Sequence, residues 1–302
     1  MKTNWKEEAL AKQLEFKKSL GFTKSGTYGK KKKEYENFLH DSDAQKGGNF
    51  YCHNNPEEWN ALREWSKKDK GERINFTGAG YANMLRSEHI PFNFIYPLEK
   101  LRENNPDLLH TFLETLFNGR IKVDKVNRIK IEFSSDLTKD KLLDDNTSFD
   151  AYIEYQEGEK KCALGIEIKY TEKSYPYDKT EKDRMFNQDD SEYNRLTRVA
   201  KVYQRDNIPE LKLDDLKQIW RNHLLGIKLI SLGELEKFHS VHIFPEGNTY
   251  QKEASNKYIK CLLEGEKKSF VPITFERFIE VAEVVLTSEE HQEWIQYLKD
   301  RY

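Results

Sequence analysis

The sequence predicts a mixed α/β fold, and three observations support that prediction. Apolar and polar residues alternate with the period of a β-strand in four runs, at residues 128–133, 148–153, 163–170 and 240–244. Helical spacing of apolar residues occurs before, between and after these runs. Gly158 lies in the first central position of a two-residue turn, where a type II′ hairpin favours glycine. Together these patterns predict helices around a sheet that contains a β-hairpin.

The helices are predicted from apolar spacing combined with start and stop signals. Gly21 is a stop signal for the first helix, and Asn55 followed by Pro56 is a start signal for the second. The predicted helices cover residues 4–20, 55–68, 81–86, 106–119, 213–230 and 274–285, with a last helix that begins after a capping box at 287–290. Residues 25–33 are predicted to form a basic loop, and residues 174–192 a long polar segment.

Composition limits the function classes. The chain has 302 residues, of which 34% are charged, so it can form one large domain or two ordinary ones. No run approaches the roughly 20 apolar residues of a membrane span, and the start lacks the apolar core of a secretory signal. The cysteines Cys52, Cys162 and Cys261 lie far apart without metal-type spacing. We expect free thiols in a reducing, cytoplasmic compartment.

The hairpin predicts a specific register. A two-residue loop at Gly158 and Glu159 pairs position 157 with position 160, and counting back places Asp150 opposite Glu167. In the second strand, Glu167 and Lys169 share one face, and Leu164, Ile166 and Ile168 share the other. In the first strand, Phe149, Ala151 and Ile153 are predicted to share the apolar face.

Two carboxylates that face each other across a strand pair suggest a cation site. Their Cβ atoms would lie roughly 4.5–5.5 Å apart, where like charges repel. Oxygen ligands of this kind suit Mg²⁺, for which Mn²⁺ would substitute. Lys169, on the same face, would meet charge that develops at phosphorus or would position an attacking water. The sequence therefore predicts that Asp150, Glu167 and Lys169 carry out metal-assisted hydrolysis of a phosphodiester.

These residues resemble a known family. Asp150 followed by Glu167-Ile168-Lys169 is similar to the D…(D/E)xK signature of the PD-(D/E)xK nuclease superfamily, although Phe149 stands where proline is usual. Further segments resemble bacterial restriction-endonuclease-like proteins, at 83–85, 92–94, 147–150, 165–172, 218–225 and from Trp294 to Arg301-Tyr302. The resemblance implies a restriction-endonuclease-like αβββαβ core with helical N- and C-terminal extensions. The first seventy residues resemble no family.

The resemblance also implies a domain division, a substrate and partners. We expect a helical N-terminal region at 1–104 that takes part in substrate binding, a nuclease core at 105–250, and a C-terminal helical extension at 251–302 that packs on the core. The implied activity is that of a DNA endonuclease with a defence or restriction role that acts on double-stranded DNA, with a homodimer as the oligomeric state. The backbone carbonyl of Ile168 is implied as a further metal ligand.

Two more acids are candidates for the metal site. Glu132 shares a strand face with Arg128 and Lys130 and would supply a third carboxylate if its strand lies beside the hairpin. An exposed strand charge is the alternative reading. Related nucleases often place an acid on the first helix, and Glu114 is the matching residue, although it projects about 140° from Leu109, near the solvent side.

Other residues are candidates for contacts with nucleic acid. Gln218 and Arg221 form a family-like Gln-x-x-Arg pattern, which implies a role in supporting the site or contacting phosphate. Lys31 and Lys32, in the basic loop, would follow a nucleic-acid backbone, since phosphate contacts come chiefly from lysine and arginine. His223 falls inside the apolar stripe of its helix and is predicted to be a packed core residue.

Three alternatives stay open. A catalytically inactive nucleic-acid-binding or scaffold protein would keep the same fold, but such a protein has no use for opposed acids that repel phosphate. An RNase would use the same site and differ only in its substrate. The aromatic residues Trp294 and Tyr297 on the last helix would either pack inward or meet a partner.

Overall fold

The computed structural model describes residues 4–67, 79–174, 179–183, 185 and 188–302. The chain divides into two compact units. Unit 1 consists of Met1–Phe112, Tyr170–Glu172 and Phe275–Tyr302, and unit 2 of Leu113–Lys169 and Lys173–Thr274. The C-terminal helices therefore group with the N-terminal segments. The three-part division at residues 104 and 250 stays a prediction.

Unit 2 contains a five-stranded mixed sheet. Its strands are β3 (Lys125–Phe133), β4 (Phe149–Glu157), β5 (Lys160–Ile168), β6 (Lys237–Phe244) and β7 (Phe270–Thr274), side by side in that order. The pairs β3–β4 and β4–β5 are antiparallel, while the pairs β5–β6 and β6–β7 are parallel. The predicted α/β class with a mixed sheet is confirmed.

Helices of unit 2 provide the crossovers that parallel strands require. They are α7 (Lys179–Lys182), α8 (Glu192–Val199), α9 (Ile208–Leu211), α10 (Lys217–Ser231) and α11 (Thr249–Cys261), and α6 (Pro106–Leu116) spans the division between the units. The helix α10 connects β5 to β6 and packs closely on the sheet. A Cβ atom at Gly226 would lie 2.0 Å from the Phe238 ring, so only glycine permits this approach.

In β3 and β4, side chains stop alternating regularly between the two faces of the sheet where these strands reach the candidate site. Glu132 has a φ of +52°, the left-handed conformation that non-glycine residues rarely adopt. Beyond it, Phe133 pairs with Phe149, and both rings pack on Tyr152. The predicted face of Phe149 is therefore wrong: its ring lies over Gly165 rather than beside Ala151. The two-residue period on which the prediction relies therefore does not continue from Ala151 to Phe149.

Unit 1 contains mostly helices and one two-stranded sheet. Its elements are α1 (Trp5–Ser19), β1 (Ser25–Tyr28), β2 (Lys33–Leu39), α2 (Asp41–Gln45), α3 (Pro56–Lys67), α4 (Ala79–Ala82), α5 (Ile90–Asn104), α12 (Phe275–Val285) and α13 (Glu289–Arg301). The fully buried Arg301 donates to the Asn49 carbonyl at 2.8 Å and to the Tyr297 hydroxyl at 2.5 Å. Trp294 is buried and donates to the Asn93 carbonyl at 2.8 Å. Both aromatics of the last helix thus pack inward within this unit.

The sequence analysis missed several elements, α8 and α11 among them, and an identifiable reason exists for α5, for β7 and for the hairpin of β1 and β2. The helix α5 begins at Ile90 beside Pro91 and contains Pro97, and an internal proline normally signals a break. The strand β7 contains Pro272, which is tolerated because this strand lies at the sheet edge. The hairpin of β1 and β2 includes the lysine run predicted to be a loop, and its exposed strands lack apolar alternation.

Most other predicted elements are confirmed within a few residues, including α1, α3, α6, β3, α10, β6 and α12. Part of the polar segment at 174–192 lies outside the described residues. Among the helices that the structure describes, none has the length and apolar content needed to cross a membrane.

Candidate active site

The β4–β5 hairpin has the predicted register. Glu157 pairs with Lys160, and the ladder continues to the pair of Ala151 and Ile166. One step further along this register places Asp150 beside Glu167. Gly158 has a φ of +62°, as its position in a type II′ turn requires. The turn geometry thus brings the two acids to the same end of the strand pair.

Asp150 lies in an environment that disfavours its charge. Its Oδ2 accepts a hydrogen bond from the backbone N–H of Ile168 at 2.6 Å. Burial raises the pKa of Asp150 well above its usual range, and the negative charges of Glu167 and Glu132 raise it further. The positive charge of Lys169 and the Ile168 hydrogen bond act in the opposite direction. A nearby cation would therefore stabilise the ionised form of Asp150.

Glu167 is buried between Lys169 and the helix α10. The Lys169 ammonium forms an ion pair with one carboxylate oxygen of Glu167, and the side-chain amide of Asn222 donates to the other. Glu167 is 5% exposed, so both partners act where water screens little. The sequence analysis did not assign Asn222, although it lies directly after Arg221 in a family-like segment. Only the packing of α10 on β5 shows which residue of that segment reaches the acid.

Arg221 anchors the segment that leads into Asp150. Its guanidinium donates to Thr147 Oγ1 at 3.0 and 3.1 Å and forms ion pairs of 3.2 Å with Asp145 and with Glu181. The Tyr193 hydroxyl donates to the same Asp145 carboxylate at 2.6 Å. These contacts fix residues 145–147, three to five positions before Asp150. They support a positioning role for Arg221, and its predicted contact with phosphate stays a prediction.

Gln218 lies one helical turn before Arg221. It lines a small pocket of unit 2 together with Lys169 and His242, so the structure brings it near the lysine of the signature.

His223 is buried, and its two ring nitrogens bond to the Tyr258 and Ser269 hydroxyls at 2.8 and 3.2 Å. The prediction that His223 is a packed core histidine is confirmed.

The other candidate acids differ in their positions. Glu132 lies on β3 beside β4, and its charge acts on Asp150, while Ser148 Oγ donates to its carboxylate at 3.3 Å. Glu114 accepts a hydrogen bond from the backbone N–H of Val123 at 2.8 Å and thereby holds the loop before β3. The role of Glu132 as a metal ligand stays a prediction.

The lysines of the basic run lie in unit 1. Lys31 and Lys32 are exposed at the turn between β1 and β2, and Lys32 has a φ of +46°. An exposed hairpin tip leaves both ammonium groups accessible to a polyanion. Their contact with nucleic acid stays a prediction.

The donor set suits a hard divalent cation. Two carboxylates and a backbone carbonyl are oxygen ligands, which Mg²⁺ and Mn²⁺ prefer. Among the described residues there is no group of three or more His, Cys, Asp or Glu side chains that could hold a metal ion. The expected set of Asp150, Glu167 and the Ile168 carbonyl contains only two such side chains. The raised pKa of Asp150 is consistent with this set of ligands. Without a cation between them, the carboxylates of Asp150 and Glu167 repel each other, and this repulsion raises the pKa further than burial alone does.

The mixed sheet carries an aspartate, a glutamate and a lysine at the end of one hairpin, as the D…(D/E)xK signature predicts. Comparison with known families identifies the superfamily. The family model of the PD-(D/E)XK nuclease superfamily matches residues 2–302, so the chain belongs to that superfamily. The match includes the first seventy residues, for which the sequence analysis found no resemblance. Searches of curated proteins and of solved structures found no match.

Proposed function

We propose that the protein is a Mg²⁺-dependent nuclease that cleaves DNA internally. One observation supports this proposal above all: Asp150, Glu167 and Lys169 lie together at one end of the β4–β5 hairpin, with Lys169 in contact with Glu167. The superfamily match supports nuclease activity and a nucleic-acid substrate.

The three residues have distinct roles in the proposed reaction. Asp150 and Glu167, with the Ile168 carbonyl, would hold the metal ion, which when bound polarises a phosphoryl oxygen and lowers the pKa of water. Lys169 would donate a hydrogen bond to the attacking water or to the phosphoryl oxygens as negative charge develops there. Asn222 holds the Glu167 carboxylate in place, and the Ile168 amide holds Asp150.

Double-stranded DNA is the proposed substrate, and defence against foreign DNA the proposed biological role. Both come from the resemblance to restriction-endonuclease-like proteins, as does the proposed homodimer. The described cysteines Cys52, Cys162 and Cys261 are buried free thiols, which suits the proposed cytoplasmic location.

Cleavage of supercoiled plasmid tests the proposal. We expect nicked and then linear DNA when Mg²⁺ or Mn²⁺ is added, and intact plasmid in EDTA. Asp150→Asn and Lys169→Met should each abolish detectable cleavage, because each removes one member of the cluster while nearly preserving side-chain size. Lys160→Met is the matched control, since Lys160 is an exposed lysine at the far end of the same strand. This control should cleave at the wild-type rate.

End-labelled linear DNA and RNA distinguish the alternatives. Internal fragments from DNA would support the proposal, whereas products shortened only from the ends would indicate an exonuclease. Cleavage confined to RNA would indicate the RNase alternative. Binding of nucleic acid without cleavage of any substrate, with either metal, would favour the catalytically inactive binding protein and contradict the proposal.

A further inference from the structure

A small pocket lies beside the candidate active site within unit 2. Its lining includes Lys169, Gln218, His242, Tyr250 and Gln251. The pocket has a volume of about 10 Å³, close to the roughly 10–15 Å³ that one water molecule needs. A water is stable in such a pocket only with two to four polar partners. The side chains of this lining are polar enough to supply them.

His242 contributes a buried nitrogen that lacks a partner. The residue is 1% exposed, and its Nδ1 lies 2.9 Å from Ser255 Oγ on α11. Its Nε2 is buried and has no hydrogen-bond partner among the described residues. An unsatisfied buried polar atom costs on the order of 1–3 kcal/mol. By contrast, both ring nitrogens of the equally buried His223 have partners.

His242 also lies next to the residues of the signature. In the parallel pairing of β5 and β6, His242 is the partner of Glu167. Burial lowers the pKa of His242 to about 3, and the positive charge of Lys169 acts in the same direction. The geometry agrees, because His242 and Lys169 both line the pocket.

We propose that His242 holds, through Nε2, one water molecule that it shares with the Lys169 ammonium. Each hydrogen bond of this arrangement joins a donor to an acceptor. The ammonium only donates, so the water accepts from Lys169 and donates to Nε2, while Nδ1–H donates to Ser255 Oγ. This water keeps Lys169 directed towards Glu167. His242 is thus a positioning residue for the lysine, and this role rests on the proposed nuclease function.

Two substitutions of His242 distinguish the role of Nε2 from that of Nδ1. A glutamine amide extends to about the place of Nε2, and an asparagine amide reaches only that of Nδ1. We expect His242→Asn to lower kcat on the order of tenfold or more, with KM nearly unchanged, and His242→Gln to retain most activity. The affinity for Mn²⁺, measured by calorimetry, should stay within about twofold in both variants. His239→Asn is the matched control, because His239 is buried on the same strand but faces the other side of the sheet.

A crystal structure of the wild-type protein gives a readout that does not depend on activity. We expect an ordered water within about 3.2 Å of both His242 Nε2 and Lys169 Nζ. Wild-type activity in His242→Asn, equal losses in His242→Gln and His242→Asn, or no water at Nε2 would each overturn the proposal. If the wild-type protein cleaves no nucleic acid, the proposed function fails, while the crystal structure still decides whether His242 and Lys169 share a water.

Discussion

Asp150→Asn should stabilise the metal-free protein while it removes activity. Asp150 is held beside Glu167 and Glu132, and burial and those two charges raise its pKa. The substitution removes one of the repelling charges and keeps an oxygen that can accept the hydrogen bond from Ile168. Active sites commonly have unfavourable charge arrangements of this kind, so that stability and function oppose each other.

The size of the effect follows from Coulomb's law. Two unit charges about 5 Å apart, as across a strand pair, repel by about 3 kcal/mol at an effective dielectric constant of about 20. The ion pair of Lys169 with Glu167 offsets part of this repulsion. We therefore expect Asp150→Asn to raise the free energy of unfolding by about 1–2 kcal/mol. With an unfolding entropy of about 2.1 cal/mol/K per residue, this corresponds to a Tm increase of roughly 2–3 °C for a chain of 302 residues.

The pH dependence has a definite sign. An acid whose pKa is raised in the folded state destabilises that state once the pH exceeds its unfolded pKa, near 3.9 for aspartate. The destabilisation that Asp150 causes therefore grows as the pH rises from about 3.9 towards the pKa that Asp150 has in the folded protein. The advantage of Asp150→Asn should accordingly grow from acidic to neutral pH.

Thermal unfolding in EDTA and in Mg²⁺ measures both effects. The wild-type protein should gain stability with Mg²⁺, since a ligand that binds only the folded state stabilises it, whereas Asp150→Asn should gain little. Glu159→Gln is the control, because it removes an exposed carboxylate from the turn of the same hairpin. A lower Tm for Asp150→Asn in EDTA, or equal stabilisation of both proteins by Mg²⁺, would refute the reasoning.

Three further predictions concern the residues around the site. Asn222→Ala should lower Mn²⁺ affinity about 10- to 100-fold in calorimetry, because Glu167 loses the donor that orients it; unchanged affinity would exclude that role. Arg221→Met leaves the buried Asp145 without its cation, so unfolding by urea should show a loss of about 3–5 kcal/mol, and a loss below 1 kcal/mol would contradict this. Burial lowers the pKa of His223 to about 3, so folded His223 stays neutral, and its contribution to stability is lost as the pH falls from about 6.5 towards 3. His223→Gln should therefore make Tm fall less steeply below pH 6.5, and an unchanged slope would show that this histidine does not titrate as the fold predicts.

Local patterns predicted the parts of the site that depend on local geometry. The register of β4 and β5 follows from one glycine turn, so the sequence alone predicts that Asp150 lies beside Glu167. The start of α3 is a second example. Asn55 caps this helix, because its side-chain oxygen accepts hydrogen bonds from the N–H groups of Glu57 and Glu58 at 3.1 Å. Turns and caps involve neighbours in sequence, and this is why patterns reveal them.

Residues that act through distant contacts could not be placed in this way. Asn222 and His242 lie 55 and 75 positions after Glu167, and only the packing of α10 and the parallel pairing of β6 bring them to it. Arg221 was noticed as part of a pattern, but its partner Asp145 depends on a loop conformation. The face of Phe149 was mispredicted because its ring packs on Tyr152 and over Gly165, contacts that the alternation of residues in β4 does not reveal.

A crystal structure with Mn²⁺ tests the central proposal most directly. We expect one anomalous-scattering peak within metal-ligand distance, about 2.0–2.3 Å, of carboxylate oxygens of Asp150 and Glu167 and of the Ile168 carbonyl, with the Lys169 ammonium on the same side of the sheet. A peak elsewhere in the protein, with Asp150 and Glu167 still in contact only with protein groups, would contradict the assignment of this hairpin as the metal site.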